Sequence, residues 1–212
     1  MTGARALAFD FNGTLSHDEP LLYAIYAELF AEHGRPLTEA AYFGVLAGNT
    51  EEAIIGGWLG VEGDELGALV GERIDRYVAR ADGSTILPAT REAVRHAARH
   101  VPLVVVSGAF RREIEPVLER SDLASCFVGL VTADDVTNGK PDPEGYRLAT
   151  ERLGLAPEDV VAFEDTEAGV ASAKDAGLRC VAVRGTLPDA RLARDDARVD
   201  AIEVDLVRRL VG

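Results

Sequence analysis

Short runs of consecutive apolar residues, with no polar alternation, recur in the chain. The first covers Ala6 to Phe9, and the others lie at about residues 102–107, 127–131, 160–163 and 179–183. Such runs are typical of strands buried on both faces of a parallel sheet. After Pro88 they alternate with helical patterns at about residues 90–100, 111–120, 143–153 and 166–176. The pattern predicts a doubly wound parallel α/β sheet with helices on both faces.

The segment between the first strand and Pro102 has a different pattern, with apolar residues at helical spacing. From Glu19 to Gly34 they line one helical face, and Gly34 and Pro36 end that helix. Further helices are predicted at about residues 38–46, 50–59 and 63–81. An all-helical block that interrupts a series of strands is typical of an inserted domain. We therefore expect an α/β core formed by residues 1–15 and 86–212, and a small helical cap domain formed by residues 16–85.

Polar or small residues stand where three of the predicted strands end. They are Asp10, Asn12, Gly13 and Thr14 after the first strand, Ser107 and Gly108 after the second, and Glu164 and Asp165 after the fourth. Each group alone is typical of a turn or a charged helix start. Open α/β sheets place their sites at the carboxyl ends of their strands, so the combination indicates one shared site.

Lys140 stands in the segment Asn138 to Pro143, between a glycine and a proline. It is one of only two lysines, with Lys174, among 22 basic residues. A chain this rich in arginine would supply a planar guanidinium by default, so a compact point charge at position 140 indicates selection for that chemistry. A solvated surface lysine is the ordinary alternative.

The carboxylates favour phosphoryl transfer in which a carboxylate of the protein is the nucleophile. Attack of Asp10 on phosphorus would give an acyl phosphate, which water cleaves more readily than the original ester. Asp10, Glu164, Asp165 and a backbone carbonyl near Asn12 form an all-oxygen ligand set suited to Mg²⁺. The cation would act as Lewis acid and template.

The remaining groups are suited to binding the phosphoryl oxygens. Lys140 would supply a second positive charge, and the Ser107 side chain and Gly108 N–H would donate hydrogen bonds. The turn at Gly13 would present backbone N–H groups to an anion.

With these residues the chain resembles the haloacid dehalogenase-like (HAD) hydrolase superfamily, in the branch that includes β-phosphoglucomutase, phosphoglycolate phosphatase and phosphonatase. The similarity runs from about residue 5 to about residue 205, and all four family motifs occur in the family's order. It implies a HAD-like Rossmannoid core with an inserted helical cap of the C1 type. The implied roles are nucleophile and metal ligand for Asp10, phosphoryl binding for Ser107 and Lys140, completion of the Mg²⁺ site for Glu164 and Asp165, and substrate contact near Gly48 and Asn49.

Asn12 departs from the family pattern. Most phosphatases of this family carry an aspartate two residues beyond the nucleophile, where it protonates the leaving oxygen and later activates water. An amide can do neither, although its backbone carbonyl can still bind the metal. General acid–base catalysis contributes roughly 10²- to 10⁴-fold in rate. Three explanations stay open: a substrate with a good leaving group or its own proton donor, a substitute side chain such as His17, or loss of catalysis in favour of phosphate binding.

Other branches of the family give further alternatives. Phosphonatase-like enzymes form a Schiff base on a cap lysine, but residues 16–85 contain no lysine. Haloalkanoate dehalogenases need no metal, whereas Glu164 and Asp165 keep the metal-binding form; Arg35 keeps this alternative open as a carboxylate binder. We expect a magnesium-dependent phosphatase that acts on a small phosphomonoester. A phosphomutase-type phosphotransferase, a haloalkanoate dehalogenase and a non-catalytic phosphate-binding protein are the alternatives.

Composition and charge limit the classes of partner and the cellular location that we expect. A net charge of −14 argues against nucleic acid, because phosphate backbones are bound by basic surfaces. Cys126 and Cys180 lack the C-x-x-C spacing and are expected to be reduced. We see no signal-peptide pattern and no 18-residue apolar run, so we expect a cytoplasmic protein with no membrane span. The expected partner is a small phosphorylated metabolite, and the expected state is a monomer or homodimer.

Overall fold

The computed structural model describes residues 3–212, which form two compact units. The core unit contains residues 3–17 and 83–212, and the helical unit contains residues 18–82. The expectation that residues 1 and 2 belong to the core lies outside the described residues.

The core unit is built on a parallel sheet. Within the described residues its six strands are β1 (Ala6–Phe9), β2 (Leu103–Val106), β3 (Gly129–Val131), β4 (Val160–Glu164), β5 (Arg179–Val183) and β6 (Ala197–Val199). Their order is β3-β2-β1-β4-β5-β6, and every neighbouring pair is parallel. The predicted parallel α/β fold is therefore confirmed. β6 was not predicted, because this three-residue edge strand has no apolar run and no buried residue.

Helices connect the strands and fill the insertion. In chain order the helical unit contains α1 (Glu19–Glu32), α2 (Glu39–Ala41), α3 (Gly57–Leu59) and α4 (Gly63–Arg80), and the core unit contains α5 (Pro88–Ala97), α6 (Arg111–Arg120), α7 (Glu144–Leu153), α8 (Glu167–Asp175) and α9 (Val204–Val211). Short π-helical turns cover Tyr42–Leu46 and Glu52–Gly56, and 3₁₀ turns cover Ala124–Cys126, Ala133–Asp135, Pro157–Asp159 and Asp189–Leu192. None of the helices in residues 3–212 is both long and apolar enough to cross a membrane.

Both faces of the sheet are buried, which explains the unbroken apolar runs of its strands. On one face, small residues such as Ala8 and Ala162 pack with residues of α7 and α8. Phe9 and Phe163 stack with ring centroids 4.9 Å apart. Phe9 pairs with Val105 of β2 and with Phe163 of β4. This register brings the ends of β2, β1 and β4 to the same level.

The helical unit contains no strand in residues 18–82, all of which the structure describes. Its interior includes polar groups as well as apolar ones. The buried Arg73 forms an ion pair with Glu51, and the buried Tyr77 hydroxyl donates to Asp18. The segment is thus helical throughout its regular structure, as its periodicity predicts.

Candidate active site

Asp10 lies directly after β1, the strand at which the chain order of the sheet reverses. Its backbone N–H donates to Phe163 O over 3.0 Å, and the residue is only 7% exposed. The break in strand order leaves a crevice at the carboxyl ends of β1 and its neighbours, where α/β sheets bind ligands. The sheet therefore fixes the Asp10 carboxylate at this edge.

Lys140, from the connection between β3 and α7, reaches the same place. Its Nζ lies 2.6 Å from Asp10 Oδ1, 2.5 Å from Glu164 Oε1 and 2.9 Å from the carbonyl oxygen of Val106. Burial by itself lowers the pKa of Lys140, but the charges of Asp10 and Glu164 outweigh it and raise that pKa above its ordinary value. The ammonium is therefore charged and shared between two carboxylates.

Three buried carboxylates converge beside this ammonium. Asp10, Glu164 and Asp165 each present one oxygen, and these oxygens all lie within 4.8 Å of one another. The Thr14 hydroxyl donates to Asp165 Oδ1 over 3.0 Å and fixes one side of that carboxylate. The structure thus brings together four of the predicted site residues from three separate segments of the chain.

Glu164 is fully buried, and its surroundings differ from those of the two aspartates. Its Oε1 accepts a hydrogen bond of 2.7 Å from the Tyr146 hydroxyl as well as the ion pair with Lys140. Its Oε2 is buried with no hydrogen-bond partner among the described residues. Burial raises the pKa of Glu164 to about 7, against the opposing charge of Lys140. A Cβ placed on Gly169 would overlap the carboxylate, so glycine leaves the space that this side chain occupies.

Ser107 and Gly108 follow β2, as predicted. The Ser107 N–H donates to Val131 O over 2.9 Å, and its Oγ accepts from the N–H of Ala109 over 3.1 Å. No atom lies within 4 Å of a Cβ built on Gly108, so this turn is open. The carbonyl that binds Lys140 belongs to Val106, so the ammonium and Ser107 adjoin the same strand end.

The turn after Asp10 is tightly folded. Gly13 has φ +75°, a left-handed conformation that favours glycine, and its N–H donates to Ser16 O over 2.7 Å. A Cβ at Gly13 would overlap the Asp165 carboxylate and lie 2.6 Å from Thr186 Oγ1. Asn12, partly buried, pairs with Ser16 in an isolated bridge.

Three further residues singled out in the sequence have the following surroundings. Gly48, with φ +81°, and Asn49 belong to the helical unit, where the Asn49 amide donates to Val45 O over 2.7 Å. His17 lies at the end of the first core segment, and its N–H donates to Thr85 O over 2.9 Å. Burial lowers the pKa of His17 from its ordinary value, which disfavours the protonated ring that could donate a proton.

Sequence reasoning missed two residues at this site. Tyr146 looks like a core residue of an amphipathic helix, and only the contact with Glu164 reveals its polar role. Burial, together with the charges of Glu164 and Asp10, raises the pKa of Tyr146 well above its ordinary value. Thr186 lies in the loop after β5, which carries no motif. The only indication is the sheet order, in which β5 lies next to β4, so that the loop after β5 adjoins the end of β4.

Known proteins are similar to this chain in sequence and in architecture. Residues 4–177 match the haloacid dehalogenase-like hydrolase family. The validoxylamine A 7'-phosphate phosphatase of Streptomyces hygroscopicus subsp. limoneus is 32% identical over 198 residues, which cover 89% of each chain. The phosphorylated carbohydrates phosphatase of Thermotoga maritima is 32% identical over 176 residues, or 82% of each chain. The crystal structure of CbbY from Rhodobacter sphaeroides in complex with phosphate is similar with a TM-score of 0.85, at 25% identity and 96% coverage of each chain.

The chain therefore belongs to the haloacid dehalogenase-like hydrolase family, as its motifs indicated. It is a member of a family of enzymes, and the two relatives described above are phosphatases. The resemblance stated from the sequence is confirmed.

Proposed function

We propose that the protein is a magnesium-dependent phosphatase that hydrolyses a small phosphomonoester, of the phosphorylated carbohydrate class, with Asp10 as nucleophile. The observation that carries the proposal is the position of Asp10. Its carboxylate lies in a buried acidic cluster, and Lys140 Nζ lies 2.6 Å from its Oδ1. The names of the two phosphatases described above support the substrate class.

The charge balance of the site fits a divalent cation. Three clustered carboxylates face one ammonium, and one buried carboxylate oxygen, Glu164 Oε2, has no hydrogen-bond partner among residues 3–212. Buried charges are stable only when they are paired or bind a metal. An all-oxygen set of this kind suits Mg²⁺. Asp10, Glu164, Asp165 and the backbone carbonyl of Asn12 would hold the ion, which supplies Lewis-acid stabilisation of the phosphoryl charge when bound.

The chain's own residues perform the transfer in two steps. An Asp10 carboxylate oxygen attacks phosphorus, the bond from phosphorus to the leaving oxygen breaks, and an aspartyl phosphate forms. Lys140, the Ser107 hydroxyl and the Gly108 N–H stabilise the charge on the transferring oxygens. Water then attacks phosphorus, phosphate leaves, and the Asp10 carboxylate is restored.

Asn12 limits the proton transfers in this scheme. Its amide has no carboxyl proton to give to the leaving oxygen and is not a base for the attacking water. Burial disfavours the protonated form of His17, so we propose that the leaving oxygen takes its proton from water or from the substrate itself. Without a carboxyl group for these proton transfers, hydrolysis of a carbohydrate phosphate is expected to be slower by roughly 10²- to 10⁴-fold than with an aspartate at position 12.

The helical unit is proposed to act as the cap domain that selects the substrate, with Gly48 and Asn49 in contact with it. The hydrogen bond from Asn49 to Val45 orders this loop, and Gly48 is exposed and has a left-handed conformation. Asn49→Ala is then expected to raise KM several-fold with little change in kcat. An unchanged KM for every substrate would contradict this role.

A phosphate-release screen tests the proposed function. Sugar, nucleotide and carboxylic-acid phosphates are incubated with the protein in Mg²⁺ or in a chelator, and wild type is compared with Asp10→Asn. The proposal expects release only in Mg²⁺ and only by wild type, with sugar phosphates preferred. Circular dichroism confirms that the variant is folded.

Three further readouts separate the alternatives. A protein phosphorylated on Asp10 that survives product exchange would identify a phosphomutase. Metal-independent release of halide from a haloalkanoate would identify a dehalogenase. Phosphate binding without turnover, not rescued by Asn12→Asp, would identify a regulatory phosphate-binding protein, the alternative that Asn12 favours.

A further inference from the structure

Tyr146 is a buried polar residue that the proposed reaction does not use directly. It lies on α7, six residues beyond Lys140, and is 0% exposed. Its hydroxyl donates to Glu164 Oε1 over 2.7 Å, and its ring centroid lies 5.5 Å from Lys140 Nζ. One side chain thus contacts both the ammonium and the carboxylate that holds it.

Two donors contact the same oxygen, Glu164 Oε1. It receives the Tyr146 hydroxyl over 2.7 Å and the Lys140 ammonium over 2.5 Å, while the same ammonium lies 2.6 Å from Asp10 Oδ1. Two donors that share one carboxylate oxygen compete for its electron density, so each weakens the other's bond to it. The Tyr146 hydroxyl therefore weakens the ion pair between Glu164 and Lys140. As a result, the ammonium remains shared with Asp10.

We propose that Tyr146 is a positioning residue, which acts through Glu164 to keep the Lys140 ammonium beside Asp10, where it meets the transferring phosphoryl group. This inference rests on the proposed function for its kinetic consequence. The arrangement of the three side chains is independent of that function.

Two surrounding contacts involve Glu164 and Lys140. The carboxylate fills the space above Gly169, and a Cβ there would overlap it. The ring of Tyr146 lies beside the ammonium, with its centroid 5.5 Å from Nζ. When the hydroxyl is removed, the expected response is a shift of the ammonium toward Glu164 and away from Asp10.

Tyr146→Phe tests the inference, because it removes the hydroxyl and keeps the ring. The expected result is a fall in kcat of about tenfold with KM changed less than about twofold, the size expected for one lost hydrogen bond to a charged group. The matched control is Tyr77→Phe, which removes a buried hydroxyl that donates to Asp18 in the helical unit. It is expected to leave kcat unchanged.

A spectroscopic readout separates positioning from a general loss of structure. Because the chain has only two lysines, protein with isotopically labelled lysine side chains gives two lysine signals, which Lys174→Arg assigns. In metal-free protein, Tyr146→Phe is expected to shift the Lys140 signal and not that of Lys174. Tyr77→Phe is expected to shift neither.

A double-mutant cycle tests the route through Glu164. In a Glu164→Gln background, Tyr146→Phe is expected to have no further effect on kcat. An unchanged Lys140 signal in Tyr146→Phe, or additive effects of the two substitutions, would overturn the inference. A wild-type protein inactive on every ester would instead overturn the proposed function, and the lysine signals would still decide whether Tyr146 places Lys140.

Discussion

Lys140 Nζ lies 2.6 Å from Asp10 Oδ1, although 130 residues separate the two in sequence. Asp10 is fixed by β1 and Lys140 by the segment before α7, so the fold itself creates this ion pair. Glu164 accepts from the same ammonium over 2.5 Å. The site is therefore a preformed charge cluster, which is the arrangement that electrostatic stabilisation of a phosphoryl group requires.

Removal of the shared ammonium should affect both rate and stability. Lys140→Met leaves clustered buried carboxylates without their cation, so we expect the metal-free protein to lose about 3 kcal/mol in free energy of unfolding. We expect kcat to fall by roughly 10²- to 10³-fold. Chemical denaturation and phosphate release measure the two effects.

Lys174→Met is the matched control. Lys174 pairs with Asp196 over 2.7 Å at a partly exposed position. Exposed pairs contribute about 0–1 kcal/mol, so this variant should keep its rate and nearly all of its stability. Equal effects of the two lysine substitutions would contradict a special role for Lys140.

Restoration of a carboxylate at position 12 should accelerate the proposed reaction. Asn12→Asp supplies the missing general acid and base, and we expect kcat for simple phosphate esters to rise by roughly 10²-fold. The gain should be largest for esters with poor leaving groups, because protonation matters most to them. A rise of equal size in Asn12→Ala would contradict this explanation.

Gly169 and Gly67 make a matched pair of helical glycines. A Cβ at Gly169 overlaps the Glu164 carboxylate, whereas no atom lies within 4 Å of one at the exposed Gly67. Gly169→Ala should therefore destabilise the protein by about 1–3 kcal/mol, the range for overpacking. Gly67→Ala should stabilise it by about 0.5–1 kcal/mol, the helix propensity difference. Thermal and chemical unfolding measure both, and the same sign for the two substitutions would contradict the assigned contact.

The fold and the site differ in how far the sequence predicts them. The unbroken apolar runs predict the parallel sheet, because strands buried on both faces need no polar alternation. The ends of those runs also point to Asp10, Ser107, Glu164 and Asp165. Tyr146 was missed because a tyrosine on an apolar helical face has the same pattern whether or not its hydroxyl binds a carboxylate.

In the helical unit, too, the sequence predicts the helices but not the buried polar contacts. Its helices follow from apolar spacing, but the buried pair of Arg73 and Glu51 does not. Charged residues on helices are usually solvated, and only packing between elements reveals the buried ones. Thr186 is the corresponding case in the core unit, since its loop carries no local signal and is brought beside Gly13 by the sheet order.

Asp135 should make stability depend on pH in the acid range. Its Oδ1 accepts from Arg152 over 2.8 Å, and its Oδ2 accepts from Arg111 over 2.8 Å and from the Thr132 hydroxyl over 2.8 Å. Burial alone would raise the pKa of Asp135, but the hydrogen bonds from Arg152 and Thr132 and the charge of Arg111 hold it well below its usual range. A lowered pKa contributes stability above the unfolded value of about 4, which is lost as pH falls further.

Asp135→Asn should therefore cost about 1–3 kcal/mol at pH 7, and its difference from wild type should shrink below about pH 4. Asp205→Asn, at an exposed pair with Arg208, should stay within about 0.5 kcal/mol at every pH. Denaturant titrations across pH measure both. A difference for Asp135→Asn that grows as the pH falls would contradict the assigned direction of the pKa.

The most direct test of the central claim compares phosphate release by wild type and Asp10→Asn, in the same Mg²⁺ buffer and on the best sugar phosphate. The two proteins differ only at position 10, where an amide replaces the carboxylate of the proposed nucleophile. We predict steady release by wild type, abolished by a chelator, and no release above background by the folded Asp10→Asn variant. Equal rates for the two proteins would show that position 10 does not carry the reaction.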